Sequence, residues 1–311
     1  MYDTSVYLSV VIHVYNEQDN LVELHARLMA TLNAIDKNFE LIYVDDGSHD
    51  GSWKLLKKFH QLNPNEVKLV RFNRNYGQHM AVFAGFEKIR GEVVVTLDAD
   101  LQNPPEEIPH LLAKIAEGYD VVAGWRQIRH DSVFRKIPSW IINKITSRIV
   151  GIKHQDYGCM LRAYRREVVD AMNACHENSS FIPALANIYA NNFVEIPVKH
   201  HQRFAGVSKY GFIRLIKLML DLFTGFSNLP LKLVSLLGSL VALAGLSFGI
   251  FLFIRRMVVG PEVEGVFTLF AIMFVFMGLQ ILVVGLLGEY VGRIYREVRQ
   301  RPRFVIRETR E

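Results

Sequence analysis

The sequence predicts an α/β domain built on a mostly parallel sheet, followed by a C-terminal two-helix transmembrane hairpin. Three observations carry this expectation. Short apolar runs alternate with amphipathic stretches over residues 8–123, polar residues collect just after four successive runs, and residues 234–254 and 266–287 hold no charge. Each uncharged stretch is about 20 residues, the length that crosses a bilayer as a helix.

Residues 8–14 read LSVVIHV, a strand-length apolar run, and residues 20–34 follow with Leu21, Leu24, Leu28 and Leu32 at helical spacing. The order then repeats. Strand 40–44 precedes helix 52–61, strand 67–71 precedes helix 77–89, strand 93–97 precedes helix 105–117, and a fifth strand covers 120–123. Such alternation predicts parallel strands covered by helices on both faces. Ligands then bind beyond the carboxyl ends of the strands. The polar segments VYNE (14–17), VDDGSHDGS (44–52), FNRNYGQH (72–79) and DADLQNPPEE (98–107) all fall at those ends. No glycine-rich dinucleotide turn follows the first strand and no phosphate-loop motif occurs, which argues against both of those nucleotide-binding designs.

The two spans are joined by residues 255–265, so both flanks lie on one side of the membrane. Lys217 and Lys232 precede the pair, and Arg293, Arg296, Arg299, Arg301 and Arg303 follow it. This excess predicts cytoplasmic flanks; Arg255 and Arg256 in the link are outnumbered and can snorkel to headgroups. Residues 6–14 are too short for a signal sequence. Residues 212–222, FIRLIKLMLDL, read as an amphipathic helix in the headgroup plane. The expected organisation is a catalytic domain over 1–209, an interfacial segment over 210–232, the spans over 233–288 and a basic cytoplasmic tail over 289–311. Cys159 and Cys175 have no metal-site spacing and read as reduced thiols. A net charge of +5 suits anionic membrane lipids. No nucleic-acid motif accompanies it, so no nucleic-acid partner is expected.

Asp98 and Asp100, one residue apart at a strand end, point the same way. Paired carboxylates repel unless a proton or cation lies between them, and Mg²⁺ or Mn²⁺ with substrate phosphates is the usual solution. Asp45 and Asp46 end the second strand before Gly47, where one carboxylate can accept a hydrogen bond from a base N–H. Asp50 and Ser48 read as turn or helix-cap residues. Asn16 and Glu17 fit either a helix cap or a ribose contact. Asn75, Gln78 and His79 are candidates for a polar sugar pocket or for capping the next helix.

Taken together, VYNE, VDDGSHDGS, RNYGQH, LDADLQNPPEEIP and DYGCMLRAYRREVV resemble family 2 glycosyltransferases of the GT-A fold, in the polyprenyl-phosphate branch that includes dolichol-phosphate mannose synthases and bacterial lipid-phosphate glucosyltransferases. The resemblance spans nearly the whole chain. It implies a Rossmann-like GT-A domain, a UDP-sugar donor and undecaprenyl phosphate as acceptor. Tyr15, Glu17 and Asp46 would lie at the uridine, with Asn16 beside them. Asp98 and Asp100 would hold the metal-bound diphosphate, with Gln102 near the metal. Arg126, Arg135 and Ser139 are implied at the acceptor phosphate, ahead of Arg129 and Lys136, and Asp156 stands at the family's catalytic aspartate. His13 departs from the family, which usually has proline before Val-Tyr-Asn-Glu. Related enzymes form homo-oligomers, and the implied setting is the bacterial inner membrane and lipid A modification.

The chemistry limits what Asp156 must do. A phosphate monoester has a second pKa of about 6, so the acceptor is mostly dianionic at neutral pH and attacks without giving a proton to the enzyme. Asp156 is therefore read as an orienting group ahead of a general base. Arg203 reads as a group that stabilises the leaving diphosphate, and Lys209 and Tyr210 as part of a closing loop; membrane-surface contact is the equal alternative for Arg203 and Lys209. One displacement inverts the anomeric centre. The resemblance favours 4-formamido-arabinose as the sugar; glucose or another hexose is the enzymatic alternative, and a lipid-carrier scaffold protein the non-enzymatic one.

Overall fold

The computed structural model describes residues 6–126, 156, 158–175, 181–200, 229–260, 266–299 and 302–311. Two units result, Met1–Gly211 with Arg301–Glu311 and Phe212–Gln300. In the first, the described elements run β1 (Leu8–Val14), α1 (Gln18–Asn33), β2 (Phe39–Asp45), α2 (Ser52–Leu62), β3 (Val67–Phe72), α3 (Gln78–Phe86), β4 (Val93–Asp98), a 3₁₀ turn (Pro105–Glu107), α4 (Ile108–Ala116), β5 (Val121–Arg126), β6 (Arg162–Arg165), α5 (Arg166–Ala174), α6 (Ile182–Tyr189), β7 (Phe193–Val198) and β8 (Ile306–Arg310).

Eight strands form one sheet in the order β7-β5-β6-β4-β1-β2-β3-β8. β4, β1, β2 and β3 pair in parallel, as do β5 and β7. Val10, Val11, Ile12, Val14, Leu41, Ile42, Tyr43, Val94 and Val95 are fully buried. Burial on both faces explains why these strands read as continuous apolar runs rather than alternating ones. Strand order reverses between β1 and β4, and the crevice at such a reversal is where this class of sheet binds ligands. The register sets His13 of β1 opposite Asp98 of β4 and Val14 opposite Asp45 of β2. Three of the polar segments singled out in the sequence thus end on adjacent strands.

Two features differ from the expected pattern. β6 runs antiparallel between β4 and β5, where the alternation predicts parallel strands. At the other edge β8 pairs antiparallel with β3, so part of the expected basic tail closes the sheet edge. Its alternating IRETR pattern, with Arg307 and Thr309 exposed and Ile306 and Glu308 half-buried, is that of a half-covered edge strand.

The second unit contains α7 (Leu229–Val259) and α8 (Val266–Val298). By length and composition Val234–Phe251 and Val275–Gly292 each suffice to cross a membrane. α8 runs beyond residue 288 through Glu289, Arg293 and Arg296 to Val298, so the start of the expected tail is helical. Residues 210–228 of the expected interfacial segment lie outside the described residues.

α3 sits on β1 at Gly85. A Cβ there would come within 2.3 Å of Val11 Cγ1, so only glycine permits this approach. Gly85→Ala is expected to destabilise the domain by about 1–3 kcal/mol through overpacking. Thermal unfolding checks this, and adding Val11→Ala is expected to recover part of the loss.

Candidate active site

The site forms where the ends of β1, β2, β3 and β4 meet. After β1, Asn16 adopts a left-handed backbone (φ 56°) and reverses the chain. The turn is laced to the segment after β2: Asn16 N–H donates to Ser48 Oγ at 3.0 Å, Glu17 N–H to Ser52 Oγ at 3.0 Å, and His49 N–H to Asn16 Oδ1 at 2.9 Å. Asn16 is therefore a hinge between two loops. Glu17 precedes α1 and accepts from Asn20 Nδ2 at 2.6 Å, while Tyr15 is half-buried beside it.

The adjacent Asp45 and Asp46 have different surroundings. Asp45 pairs with Arg71 at 3.1 Å and accepts from Ser48 N–H at 3.0 Å, entirely within the fold. Burial raises its carboxyl above the usual range. Asp46, also fully buried, accepts from Asn75 Nδ2 at 2.9 Å, Tyr76 N–H at 2.7 Å and Gly77 N–H at 2.9 Å. It thereby ties the loop after β3 to the end of β2. Gly47 is required by this contact: its φ is +69°, and a Cβ would lie 2.5 Å from the Arg74 carbonyl carbon. His13 reaches the same carboxylate, its Nε2 3.4 Å from Asp46 Oδ2.

On β4, Asp98 accepts a short hydrogen bond from the Gln78 side-chain amide at the start of α3. Asp100 is buried and accepts from Gln102 N–H at 3.2 Å. Between them the chain turns sharply, with Leu101 left-handed (φ 58°) and its side chain buried in the core. Left-handed leucine is strained, and burial of its side chain offsets that strain. Burial first, then repulsion from Asp100, raises the Asp98 pKa from 3.8 to about 6. Among the described residues no third His, Cys, Asp or Glu completes a metal cluster. The donor set is thus the one or two carboxylates that Mg²⁺ takes when substrate phosphates and water supply the rest.

Asp156 is 2% exposed and forms a two-pronged pair with Arg126 at the end of β5, Oδ2 to Nε at 2.5 Å and Oδ1 to Nη2 at 2.9 Å. Gly158 N–H donates to the same carboxylate at 3.0 Å. Beneath it Arg162, fully buried on β6, donates Nε to the Cys159 carbonyl at 3.0 Å and Nη2 to the Asp156 carbonyl at 3.4 Å. Buried Cys159 is an unreactive thiol, since burial pushes its pKa up to about 11.

Sequence reading assigned Arg126 to the acceptor phosphate and Asp156 to catalysis, and it missed that they pair. Nothing in their spacing announces the contact, because residues far apart in the chain meet only through the β5–β6 pairing. Gln78 on Asp98, Asn75 on Asp46 and Arg162 under the Asp156 turn were hidden for the same reason. His79, a sugar-pocket candidate, packs edge-on against Phe181 with ring centroids 5.4 Å apart. Burial, followed by the charges of His13 and Arg162, lowers its pKa to about 4, so it is neutral at physiological pH. Arg129, Arg135, Lys136, Ser139, Arg203, Lys209 and Tyr210 lie outside the described residues.

Residues 9–172 match the profile of Glycosyl transferase family 2. The chain is 53% identical over 301 residues, 96% of its length and 92% of the relative's, to an undecaprenyl-phosphate 4-deoxy-4-formamido-L-arabinose transferase of Klebsiella pneumoniae subsp. pneumoniae. Glucosyl-3-phosphoglycerate synthase from Mycobacterium tuberculosis, solved with phosphoglyceric acid, aligns over 71% of this chain and 80% of its own at 15% identity, with a TM-score of 0.51. Residues 1–349 of S. aureus TarS with UDP-GlcNAc align over 70% of this chain and 66% of that one at 19% identity, with a TM-score of 0.45. The fold is of the GT-A type.

The raised Asp98 pKa makes a signed prediction. The folded protein holds an extra proton between pH 3.8 and about 6, so stability contributed by this group falls as pH rises through that window. Asp98→Asn removes the penalty while leaving an acceptor for Gln78. Without metal the variant is expected to gain about 1–3 kcal/mol near neutral pH and nothing at about pH 4. Melting temperatures of the purified protein across that range check it.

Proposed function

The chain belongs to glycosyl transferase family 2, and from that premise we propose that it transfers 4-deoxy-4-formamido-L-arabinose from a UDP donor to undecaprenyl phosphate, inverting the anomeric centre. The observation that carries this reading is 53% identity across almost the full length of a relative bearing that activity in its name. The carboxylates of the crevice supply its chemistry.

Asp98 and Asp100 are the residues for a divalent cation, Mg²⁺ or Mn²⁺. Their mutual repulsion and the raised Asp98 pKa are what a pair built for a cation shows before binding one. When bound, the ion stabilises negative charge on the departing UDP without a protonating acid. Asp46 and the 75–77 loop support the nucleoside end, with Tyr15 and Glu17 beside it. Arg203 acts at the diphosphate. Asp156 orients Arg126, whose planar donor fork suits both a carboxylate and a phosphate. Arg126, Arg135 and Ser139 take the acceptor phosphate, which is already largely dianionic at neutral pH. An ion-paired Asp156 is poorly suited to accept a proton, so positioning rather than base catalysis is its role. Both apolar helices anchor the protein in the inner membrane with the catalytic domain in the cytoplasm, where the acceptor phosphate is presented; assembly as a homo-oligomer belongs to the same reading.

The test uses the purified protein with undecaprenyl phosphate and Mg²⁺ or Mn²⁺, offered UDP-4-formamido-arabinose or UDP-glucose, with the lipid product identified by mass. Product from the arabinose donor alone is expected; product from glucose alone overturns the donor assignment. Asp100→Asn is expected to lower turnover by roughly 100-fold or more with the melting temperature little changed. Metal-dependent activity is expected to fall below about pH 6, as protonated Asp98 ceases to bind the cation.

A further inference from the structure

The segment that follows α8 returns to the catalytic domain at one specific place. Asn73 N–H donates to the Val305 carbonyl at 3.2 Å, and β8 continues the pairing along β3 from Phe72 to Leu69. Phe304 stacks on Phe72, with centroids 5.0 Å apart and planes 21° apart. Phe72 in turn meets Tyr76 edge-on at 5.5 Å, and Tyr76 contributes one of the three N–H groups on Asp46. The Arg303 guanidinium lies over the Phe83 ring of α3 at 4.8 Å and donates to the Cys175 carbonyl. α3 begins with Gln78, the residue on Asp98. Lys88, just beyond α3, pairs with Glu311 at 2.7 Å.

Two contact chains therefore leave this segment. One runs Phe304, Phe72, Tyr76 to Asp46, and the other runs Arg303, Phe83 and the axis of α3 to Gln78 and Asp98. The fully buried Phe72 ring thus touches both Phe304 and Tyr76, and adds an aromatic contact to the hydrogen bonds by which Asp46 holds the loop. β8 itself alternates half-buried and exposed residues along the sheet edge, and an element serving only to cover that edge needs no ring at its entrance.

We propose that residues 303–311 form a strap that positions the donor site, with Phe304 as the positioning residue that sets the 73–77 loop around Asp46. The proposal rests on the assignment of that loop to a UDP donor. Phe304 touches no substrate; it acts on affinity by keeping the loop in its binding-competent arrangement. Losing one aromatic pair corresponds to a change of roughly threefold to tenfold in an equilibrium constant.

The test compares full-length wild type, Phe304→Ala and Phe304→Tyr by calorimetric titration with UDP and Mn²⁺, and by donor and acceptor kinetics. Phe304→Ala is expected to weaken UDP binding and raise the donor KM by that factor, with kcat and the acceptor KM within about twofold of wild type. Phe304→Tyr, which keeps the ring, is expected to restore both. Wild-type UDP affinity in Phe304→Ala overturns the proposal, even if its melting temperature drops, because that outcome reports edge packing alone. A parallel fall in kcat and acceptor KM changes also overturns it. UDP binding is read without any product, so a wild type that binds UDP but forms no lipid product sinks the transferase reading and leaves this inference tested. A wild type that binds no UDP sinks both.

Discussion

The buried carboxylate of Asp46 is the constraint on which the site depends. A fully desolvated carboxylate is costly unless its lone pairs are met, and here three donors from residues 75–77 meet it. Satisfying that one group fixes the loop after β3, forces glycine at position 47 and sets the start of α3. From there Gln78 reaches Asp98. The Asp46 and Asp98 ends of the crevice are thereby joined by one short piece of chain.

Opposite it stands a second constraint of the same kind, with the charges differently arranged. Asp156 is nearly inaccessible to solvent and is held by Arg126, Gly158 N–H and, through its backbone, Arg162. A buried charge pair is weak evidence for stability but strong evidence for fixed geometry, since removing either partner strands the other. At Asp98, burial and then repulsion from Asp100 raise the proton affinity instead. Two of the carboxylate sites, Asp46 and Asp156, are thus met by donors within the fold.

The sheet topology explains why these groups are neighbours. β1 and β4 are adjacent although α1, β2, α2, β3 and α3 lie between them in sequence. Insertion of antiparallel β6 beside β4 brings the Asp156 turn to the same edge. β8 then closes the far edge against β3 and braces the loop that Asp46 holds.

The repeated strand and helix, the polar residues at the strand ends, the Asp98–Asp100 pair and the two apolar spans were legible because each is a local signal. Periodicity, span length and the repulsion of neighbouring carboxylates depend only on residues close in the chain. Tertiary structure alone decided that Asp46 serves the 75–77 loop while adjacent Asp45 pairs with Arg71, that Arg126 and Asp156 are partners, and that the last residues form a sheet edge. Each of these depends on which distant segments share a strand boundary. A buried charge takes whichever donor the topology brings within reach, and the order of residues in the chain does not specify that donor.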